Sequence, residues 1–260
     1  MALAIIRNDS AIRLSPKNIS QTHKDEINYI LKTYKDSTGV KFADDLLSYM
    51  NVHINVIGKE NIPPEGRFIF ASNHPLGALD GVALIRFFGH FYSGKIKFLV
   101  NDLLMHIKPL APVFLPINKY GSQAKESSLQ INNAYESDEQ MLIFPAGLCS
   151  RLQHGKIKDL EWKKTFIAKA VQSQRDIIPI YFEGRNSTFF YRFAQIRKCI
   201  GLKFNIELIY LPDEMFNSKN KTFDIYIGKP IPWQTFDKSK SLQEWAQIVK
   251  EKVYQIKKNQ

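Results

Sequence analysis

A histidine and an aspartate with five residues between them lie in the sequence Asn-His-Pro-Leu-Gly-Ala-Leu-Asp-Gly, residues 73–81. The proline and the glycines of this stretch favour a tight turn that can bring Asp80 back onto His74. A carboxylate that holds one ring N–H of a histidine fixes its tautomer and makes the other nitrogen more basic. Such a pair can act as a general base toward a hydroxyl or an amine, which is worth typically ~10²–10⁴-fold in rate. The structural alternative is that Asp80 only caps the following helix and His74 is an ordinary turn residue.

This stretch lies between a predicted strand at 67–72 and a predicted helix at 80–91. Strand-like and helical patterns alternate along the chain, and this predicts an α/β fold with a mixed, largely parallel seven-stranded sheet flanked by helices. Catalytic groups of such folds lie at the carboxyl ends of strands. Ser241 and Glu244 form a capping box that starts the last helix. The other predicted strands lie at 96–100, 112–118, 140–145, 176–182, 204–210 and 223–228, and the other predicted helices at 122–136, 160–174 and 187–198.

The chain reads as one continuous unit with an addition at its N-terminus. Residues 1–20 show no periodicity, and a helical pattern from about residue 23 to 50 is divided by Gly39. We therefore expect an N-terminal arm and small helical addition over 1–60, followed by an α/β domain over 61–260.

The charge of the chain points to an anionic partner. It has 260 residues, with 36 Lys and Arg against 25 Asp and Glu, a net charge of +11. A nucleic acid, a membrane surface and an acidic carrier protein all fit this surplus. The two cysteines exclude a disulfide scaffold. The N-terminal apolar stretch is too short for a secretory signal, and no run approaches the ~18 apolar residues that cross a bilayer, so we expect a soluble or peripheral protein facing the cytosol.

Two segments are candidates for the anionic contact. Residues 184–206 carry five basic and no acidic residues, interleaved with aromatic residues, which is typical of a membrane-contacting face. The alternatives are a partly buried helix with aromatic residues in the core, and a surface that stacks single-stranded nucleic acid. The lysine-rich segment 156–169 can receive an acidic carrier or lipid headgroups, although its apolar residues (Trp162, Phe166 and Ala170) are typical of core.

Four stretches occur in an order that resembles a known family. Residues 73–81, 112–119, 142–151 and 177–194 are similar to the sequence blocks of glycerolipid acyltransferases of the lysophosphatidic-acid type. The similarity is greater to a bacterial branch labelled hemolysin, which includes O-acyltransferases of ornithine- and glycine-type aminolipids. It covers about residues 64–233 and implies a glycerol-3-phosphate acyltransferase-like fold.

The resemblance implies that His74 deprotonates the acceptor hydroxyl, which attacks an acyl thioester, and that Asp80 orients His74. The co-substrate is then acyl carrier protein or coenzyme A carrying the acyl chain, with no cofactor and no metal. Backbone N–H groups of the 146–151 loop, with Arg151, are expected to stabilise the oxyanion. Substrate contacts are expected at Asn73, Gly77, Lys119, Ala146, Gly147, Arg151 and Arg185.

There are two departures from the family pattern. Five residues separate His74 and Asp80 where the family has four, which bears on the hydrogen bond between them. Ala146 replaces a glutamate that helps to organise a glycerol-phosphate site, which bears on the acceptor. A lyso-aminolipid, either lyso-ornithine or lyso-glycine lipid, therefore becomes more attractive than lysophosphatidic acid. We expect the enzyme to lie on the inner face of the cell membrane, bound to anionic lipids and not to nucleic acid.

Three other functions stay open at this point. Cys149 lies near Arg151 and His154, and a basic neighbourhood can lower a thiol pKa and make the sulfur a nucleophile. A non-catalytic membrane-binding or lytic protein is the second, and a nucleic-acid binder is the third.

Overall fold

A mixed sheet of seven strands forms the centre of the structure. The computed structural model describes residues 21–117, 123–202 and 205–259; the arm predicted over 1–20 and the predicted contact Lys119 lie outside the described residues. The strands are β1 (His53–Ile57), β2 (Phe68–Ser72), β3 (Ile96–Asn101), β4 (Phe114–Ile117), β5 (Gln140–Ile143), β6 (Arg151–Gln153), β7 (Lys156–Lys158), β8 (Asp176–Phe182) and β9 (Thr222–Ile227).

The order of strands in the large sheet is β1-β9-β8-β2-β5-β3-β4. The five strands from β8 to β4 are parallel, whereas β9 runs antiparallel to β8 and parallel to β1. The mixed, largely parallel sheet predicted from the alternating pattern is therefore confirmed. Every residue of β2 is buried, as expected for a central parallel strand covered on both faces.

Helices cover both faces of this sheet. Alternate residues of β2 enter two cores: Phe68 and Phe70 pack with α2 and α3, and Ile69 and Ala71 pack with α5 and α8. The helices are α1 (Gln21–Thr33), α2 (Gly39–Tyr49), α3 (Leu79–Phe91), α4 (Gln123–Glu136), α5 (Thr165–Ser173), α6 (Thr188–Cys199), α7 (Leu211–Phe216) and α8 (Leu242–Ile256).

The helices predicted near the N-terminus and at the end of the chain are present in the structure. The N-terminal region is helical, and Gly39, with a φ of 56°, stands at the junction between α1 and α2. Ser241 and Glu244 form the predicted capping box at the start of α8.

The strand predicted at 204–210 is wrong. Ile206–Tyr210 forms a short 3₁₀ helix that leads into α7. Both edges of the neighbouring strand β9 are already occupied, by β8 and β1. The 3₁₀ turn also buries Glu207 completely between Arg151 and Arg197. A buried carboxylate needs such cationic partners, and an alternating sequence pattern does not reveal this need.

Two features were not predicted. The seventh strand is β1, which lies within the segment predicted as a helical addition and pairs with β9 in parallel register. Its polar residues are typical of an edge strand. The other feature is the antiparallel β6–β7 hairpin, whose two turn residues, His154 and Gly155, have φ values of 48° and 76°.

Candidate active site

The turn between β2 and α3 brings the predicted pair of side chains together. His74 Nδ1 lies 2.9 Å from Asp80 Oδ2. Asp80 is completely buried, whereas the His74 side chain keeps 14% of its surface exposed. A charged partner is therefore hidden behind a histidine that solvent or a substrate can reach.

Asp80 also organises the turn itself. Its Oδ2 accepts hydrogen bonds from the amides of Leu76 at 2.9 Å and Gly77 at 3.4 Å, and its Oδ1 accepts from Gly81 N at 2.9 Å. The residues between the histidine and the aspartate are thus wrapped around the carboxylate, and the five-residue spacing keeps the two side chains in contact. Asp80 lies in the first turn of α3, where a carboxylate stabilises the start of a helix, and it contacts His74 as well.

The surroundings of His74 fix both its tautomer and the plane of its ring. Because both oxygens of Asp80 accept from backbone amides, the contact with Nδ1 is completed by an N–H on the ring, and Nε2 then carries the lone pair. The ring stacks on Phe144, with 3.8 Å between centroids and an interplanar angle of 18°. A ring held at one edge and one face presents Nε2 in a fixed direction.

A second buried carboxylate, which was not predicted from the sequence, ties this turn to the loop after β5. Asp159 Oδ1 accepts from His74 N at 3.2 Å and from Ser150 Oγ at 2.6 Å, and its Oδ2 accepts from Trp162 Nε1 at 2.8 Å. Ser150 N in turn donates to His74 O at 2.7 Å. Burial raises the pKa of Asp159. No spacing signal links this residue to His74, because 85 positions separate them.

Cys149 lies in the same loop and is not suited to nucleophilic attack. Burial raises the pKa of its thiol to about 11, although Arg151 opposes the shift. Cys149 also belongs to a buried cluster with Phe190 and Tyr191. Since the thiolate is the reactive form, this geometry argues against the cysteine nucleophile considered above.

Arg151 is engaged by protein groups. Its Nη1 donates to Cys149 O at 2.7 Å and its Nη2 to Glu207 Oε1 at 2.8 Å. Glu207 Oε2 also lies 2.8 Å from Arg197 Nε, an ion pair in which the N–H does not point at the oxygen. The direct contact with the substrate or oxyanion that was predicted for Arg151 stays a prediction.

Four other residues that were predicted as substrate contacts lie in different surroundings. Asn73 bridges the ends of β2 and β8 by bonding both N and O of Phe182, at 2.6 and 2.9 Å. Ala146 is buried in the core beside α5 and α8. Gly147 has a φ of 69° and lies against the Lys163 amine, and Arg185 is exposed.

Gly77, another predicted substrate contact, occupies a position that requires glycine, both for its backbone conformation and for the space around it. Its φ is 79°, a region that favours glycine. A Cβ at this position would lie 2.7 Å from Leu211 Cδ2 and 3.2 Å from Cys149 Cβ. The turn that carries His74 is therefore packed directly against α7 and the loop after β5.

The two basic segments differ in what they bury. In α6, Phe190 and Tyr191 are buried while Phe189 is 53% exposed. Neither a membrane-contacting face nor a core helix therefore describes the whole helix. In the lysine-rich segment, Trp162 and Phe166 are fully buried core residues, as their spacing suggested. None of the helices within 21–117, 123–202 and 205–259 is long and apolar enough to span a bilayer.

A largely parallel sheet flanked by helices is also the fold of a solved lysolipid acyltransferase. The crystal structure of the 1-acyl-sn-glycerophosphate (LPA) acyltransferase PlsC from Thermotoga maritima superimposes with a TM-score of 0.52, at 18% identity, covering 92% of this chain and 84% of that one. At this identity the match establishes the fold.

The chain belongs to the acyltransferase family, whose family model matches residues 5–260. It is similar to the lyso-glycine lipid O-acyltransferase of Bacteroides thetaiotaomicron, with 53% identity over 234 residues that cover 90% of this chain and 86% of the relative. The enzyme of the same name from Phocaeicola vulgatus is 50% identical over 234 residues, covering 90% and 84%. The protein is thus an acyltransferase, and the non-catalytic alternative is wrong.

Proposed function

We propose that this acyltransferase moves a fatty acyl chain from an acyl thioester to the hydroxyl of a lysolipid, and that its acceptor is a lyso-glycine lipid. The observation that carries the proposal is the buried carboxylate of Asp80 held 2.9 Å from Nδ1 of a partly exposed His74. Two relatives named lyso-glycine lipid O-acyltransferase, at 53% and 50% identity, support the choice of acceptor.

The chemistry follows from the orientation of the His74 ring. Its Nε2 accepts the proton of the acceptor hydroxyl while the oxygen attacks the thioester carbonyl carbon. The new C–O bond forms first, the C–S bond then breaks, and the departing sulfur takes the proton back from the imidazolium. Asp80 stabilises the imidazolium throughout, as a positioned carboxylate does for other histidine bases. No acyl-enzyme is needed, which agrees with the raised pKa of the buried Cys149 thiol.

The loop after β5 supports an acceptor without a phosphate. Ala146 is buried among apolar side chains, where the family pattern has an acid that organises a glycerol-phosphate site. Arg151, the cation that this loop offers to a phosphate, is paired with Glu207 at 2.8 Å. A headgroup with an amide and a carboxylate places weaker demands on this loop than a dianionic phosphate does.

A transfer assay with labelled acyl donors tests the proposal. Acyl carrier protein and coenzyme A thioesters are each offered with lyso-glycine lipid, lyso-ornithine lipid and lysophosphatidic acid. We expect acyl transfer to be fastest with lyso-glycine lipid. A preference for lysophosphatidic acid would contradict the acceptor assignment and leave the transfer reaction standing.

The base is tested by His74→Ala, with His90→Ala as the matched control. His90 is 63% exposed on α3 and contacts Asp44 at 2.7 Å. We expect His74→Ala to lower kcat by about 10²–10⁴-fold, the usual contribution of a general base, and His90→Ala to leave it unchanged. Wild-type turnover by folded His74→Ala protein would overturn the mechanism.

A further inference from the structure

One face of α6 presents apolar side chains to solvent. Phe189, Phe193, Ile196 and Ile200 follow at helical spacing, and the chain continues to Leu202 beyond the helix. The exposed fractions are 53% for Phe189, 59% for Ile196, 64% for Ile200 and 43% for Leu202. Scattered exposed apolar residues are ordinary, but several on one stripe mark a surface that contacts something else.

The aromatic end of this stripe is already ordered. The rings of Phe189 and Phe193 stack with 5.8 Å between centroids and an interplanar angle of 12°. Tyr210 meets both edge-on, at 5.1 and 5.5 Å. Such rings, with a tyrosine hydroxyl beside them, suit the boundary between acyl chains and headgroups.

The charges in this stretch of sequence have one sign. Arg192 is exposed beside the stripe and Arg185 is exposed just before the helix, and the sequence has no acid from Gly184 to Leu202. The acids in the following segment are occupied within the protein: Glu207 pairs with arginines, Asp213 pairs with His23, and the buried Glu214 accepts from Ser187 N and Oγ. An apolar stripe with a cationic border is complementary to an anionic bilayer surface.

The opposite face of the same helix packs behind the active-site turn. Phe190 and Tyr191 are buried against Cys149, and the Arg151 guanidinium lies 5.6 Å from the centre of the Phe190 ring. Cys149 in turn contacts the position of Gly77. A bilayer on the outer face of α6 would therefore lie one helix thickness from the turn that carries His74.

We infer that the stripe formed by the exposed Phe189, Ile196, Ile200 and Leu202 and the half-buried Phe193 docks the enzyme on an anionic lipid bilayer. The inference deepens the proposed function and rests on it, because a lysolipid acceptor resides in the membrane. Aliphatic side chains favour a bilayer over nucleic acid, since isoleucine offers a base neither stacking nor hydrogen bonds. The surface determines where the acceptor is taken up, and the His74 turn determines what is done to it.

Vesicle sedimentation of the full chain tests the surface. Vesicles of equal parts phosphatidylcholine and phosphatidylglycerol are compared for the wild type, the double variant Ile196→Asp with Ile200→Asp, and the control Leu129→Asp. Leu129 is 60% exposed on α4. Burying two isoleucines is worth on the order of 10²-fold in partition coefficient. We expect that loss in the double variant and wild-type binding in the control.

The charge contribution is measured separately. We expect Arg192→Gln to weaken binding to the mixed vesicles by about fivefold, and to leave binding to pure phosphatidylcholine unchanged. Wild-type sedimentation of the isoleucine double variant would overturn the inference, as would an equal loss in Leu129→Asp. A double variant that keeps vesicle binding and loses only binding to acyl carrier protein or to DNA would also overturn it.

Activity distinguishes the failure of this surface from the failure of the proposed function. Each protein is assayed with a lysolipid dispersed as monomers and with the same lipid in vesicles. We expect the ratio of vesicle to monomer activity to fall in the isoleucine double variant. If the wild type binds vesicles but acylates no lysolipid, the proposed function fails. If it acylates monomers and the ratio does not change in the variant, the docking surface fails.

Discussion

Replacing Asp80 by asparagine keeps the shape of the side chain and removes its charge. The carboxylate accepts from His74 Nδ1 and from the amides of Leu76 and Gly77 on one oxygen, and from Gly81 N on the other. An asparagine has one oxygen and one NH₂ group, so only one of these positions keeps an acceptor. If the NH₂ group faces the imidazole, Nδ1 must accept a hydrogen bond, and the proton moves to Nε2, where the base is needed.

The expected loss follows from these contacts. A hydrogen bond to a charged group contributes about 1.5–3 kcal/mol, so its loss beside the imidazolium lowers the rate by roughly 10–10²-fold. The wrong tautomer removes the general base as well, up to ~10⁴-fold. We therefore expect kcat/KM for labelled acyl transfer to fall by about 10²–10⁴-fold in Asp80→Asn. The unsatisfied turn amides should also lower the free energy of unfolding, by about 1–3 kcal/mol.

Because Asp80 both holds the turn and orients His74, the two roles are separated by a double-mutant cycle. In a His74→Ala background there is no base left to orient, so adding Asp80→Asn should not lower the residual rate further. An equal loss in both backgrounds would show that Asp80 acts only through the fold of the turn. That result would refute the assignment of Asp80 as the partner of the base.

Three further predictions concern Cys149, in the loop after β5, and Glu207, which pairs with Arg151. The Cys149 thiol, with its pKa raised to about 11 by burial, should resist iodoacetamide near neutral pH while the exposed Cys199 is alkylated, as mass spectrometry would show. Cys149→Ser should keep acyl transfer, and complete loss in folded protein would restore the thiol mechanism. Glu207→Gln leaves the guanidinium groups of Arg151 and Arg197 without a counterion, so urea unfolding should show a loss of about 3–5 kcal/mol. An unchanged midpoint would mean that these pairs do not stabilise the protein.

Features that are local in sequence were the predictable ones. The apolar run of β2, the capping box of Ser241 and Glu244, and the turn between His74 and Asp80 each depend on residues a few positions apart. Such patterns are set by backbone periodicity and turn chemistry, which neighbouring residues determine. The same reasoning predicted a strand wherever polar and apolar residues alternate, and it therefore failed at Glu207.

Features that depend on distant partners could not be predicted. Asp159 contacts His74 across 85 positions, and Arg151 meets Glu207 across 56. A single buried carboxylate has no periodicity, and its need for donors becomes visible only when the chain is folded. The edge strand β1 was missed for a related reason: its five residues closely follow the helical pattern, and their place in the sheet is set by pairing with the distant β9.

The helix α6 shows why sequence composition could not decide between a membrane face and a core helix. Phe190 and Tyr191 are buried behind Cys149, while Phe189 and Ile196 face solvent. The core interpretation of the aromatic residues therefore holds for one side of the helix, and the membrane-contacting face stays a prediction for the other. Composition counts these residues together, whereas the 100° turn per residue separates them. The helix can pack against the turn that carries His74 and still offer an exposed apolar face, which is the arrangement that the proposed membrane docking requires.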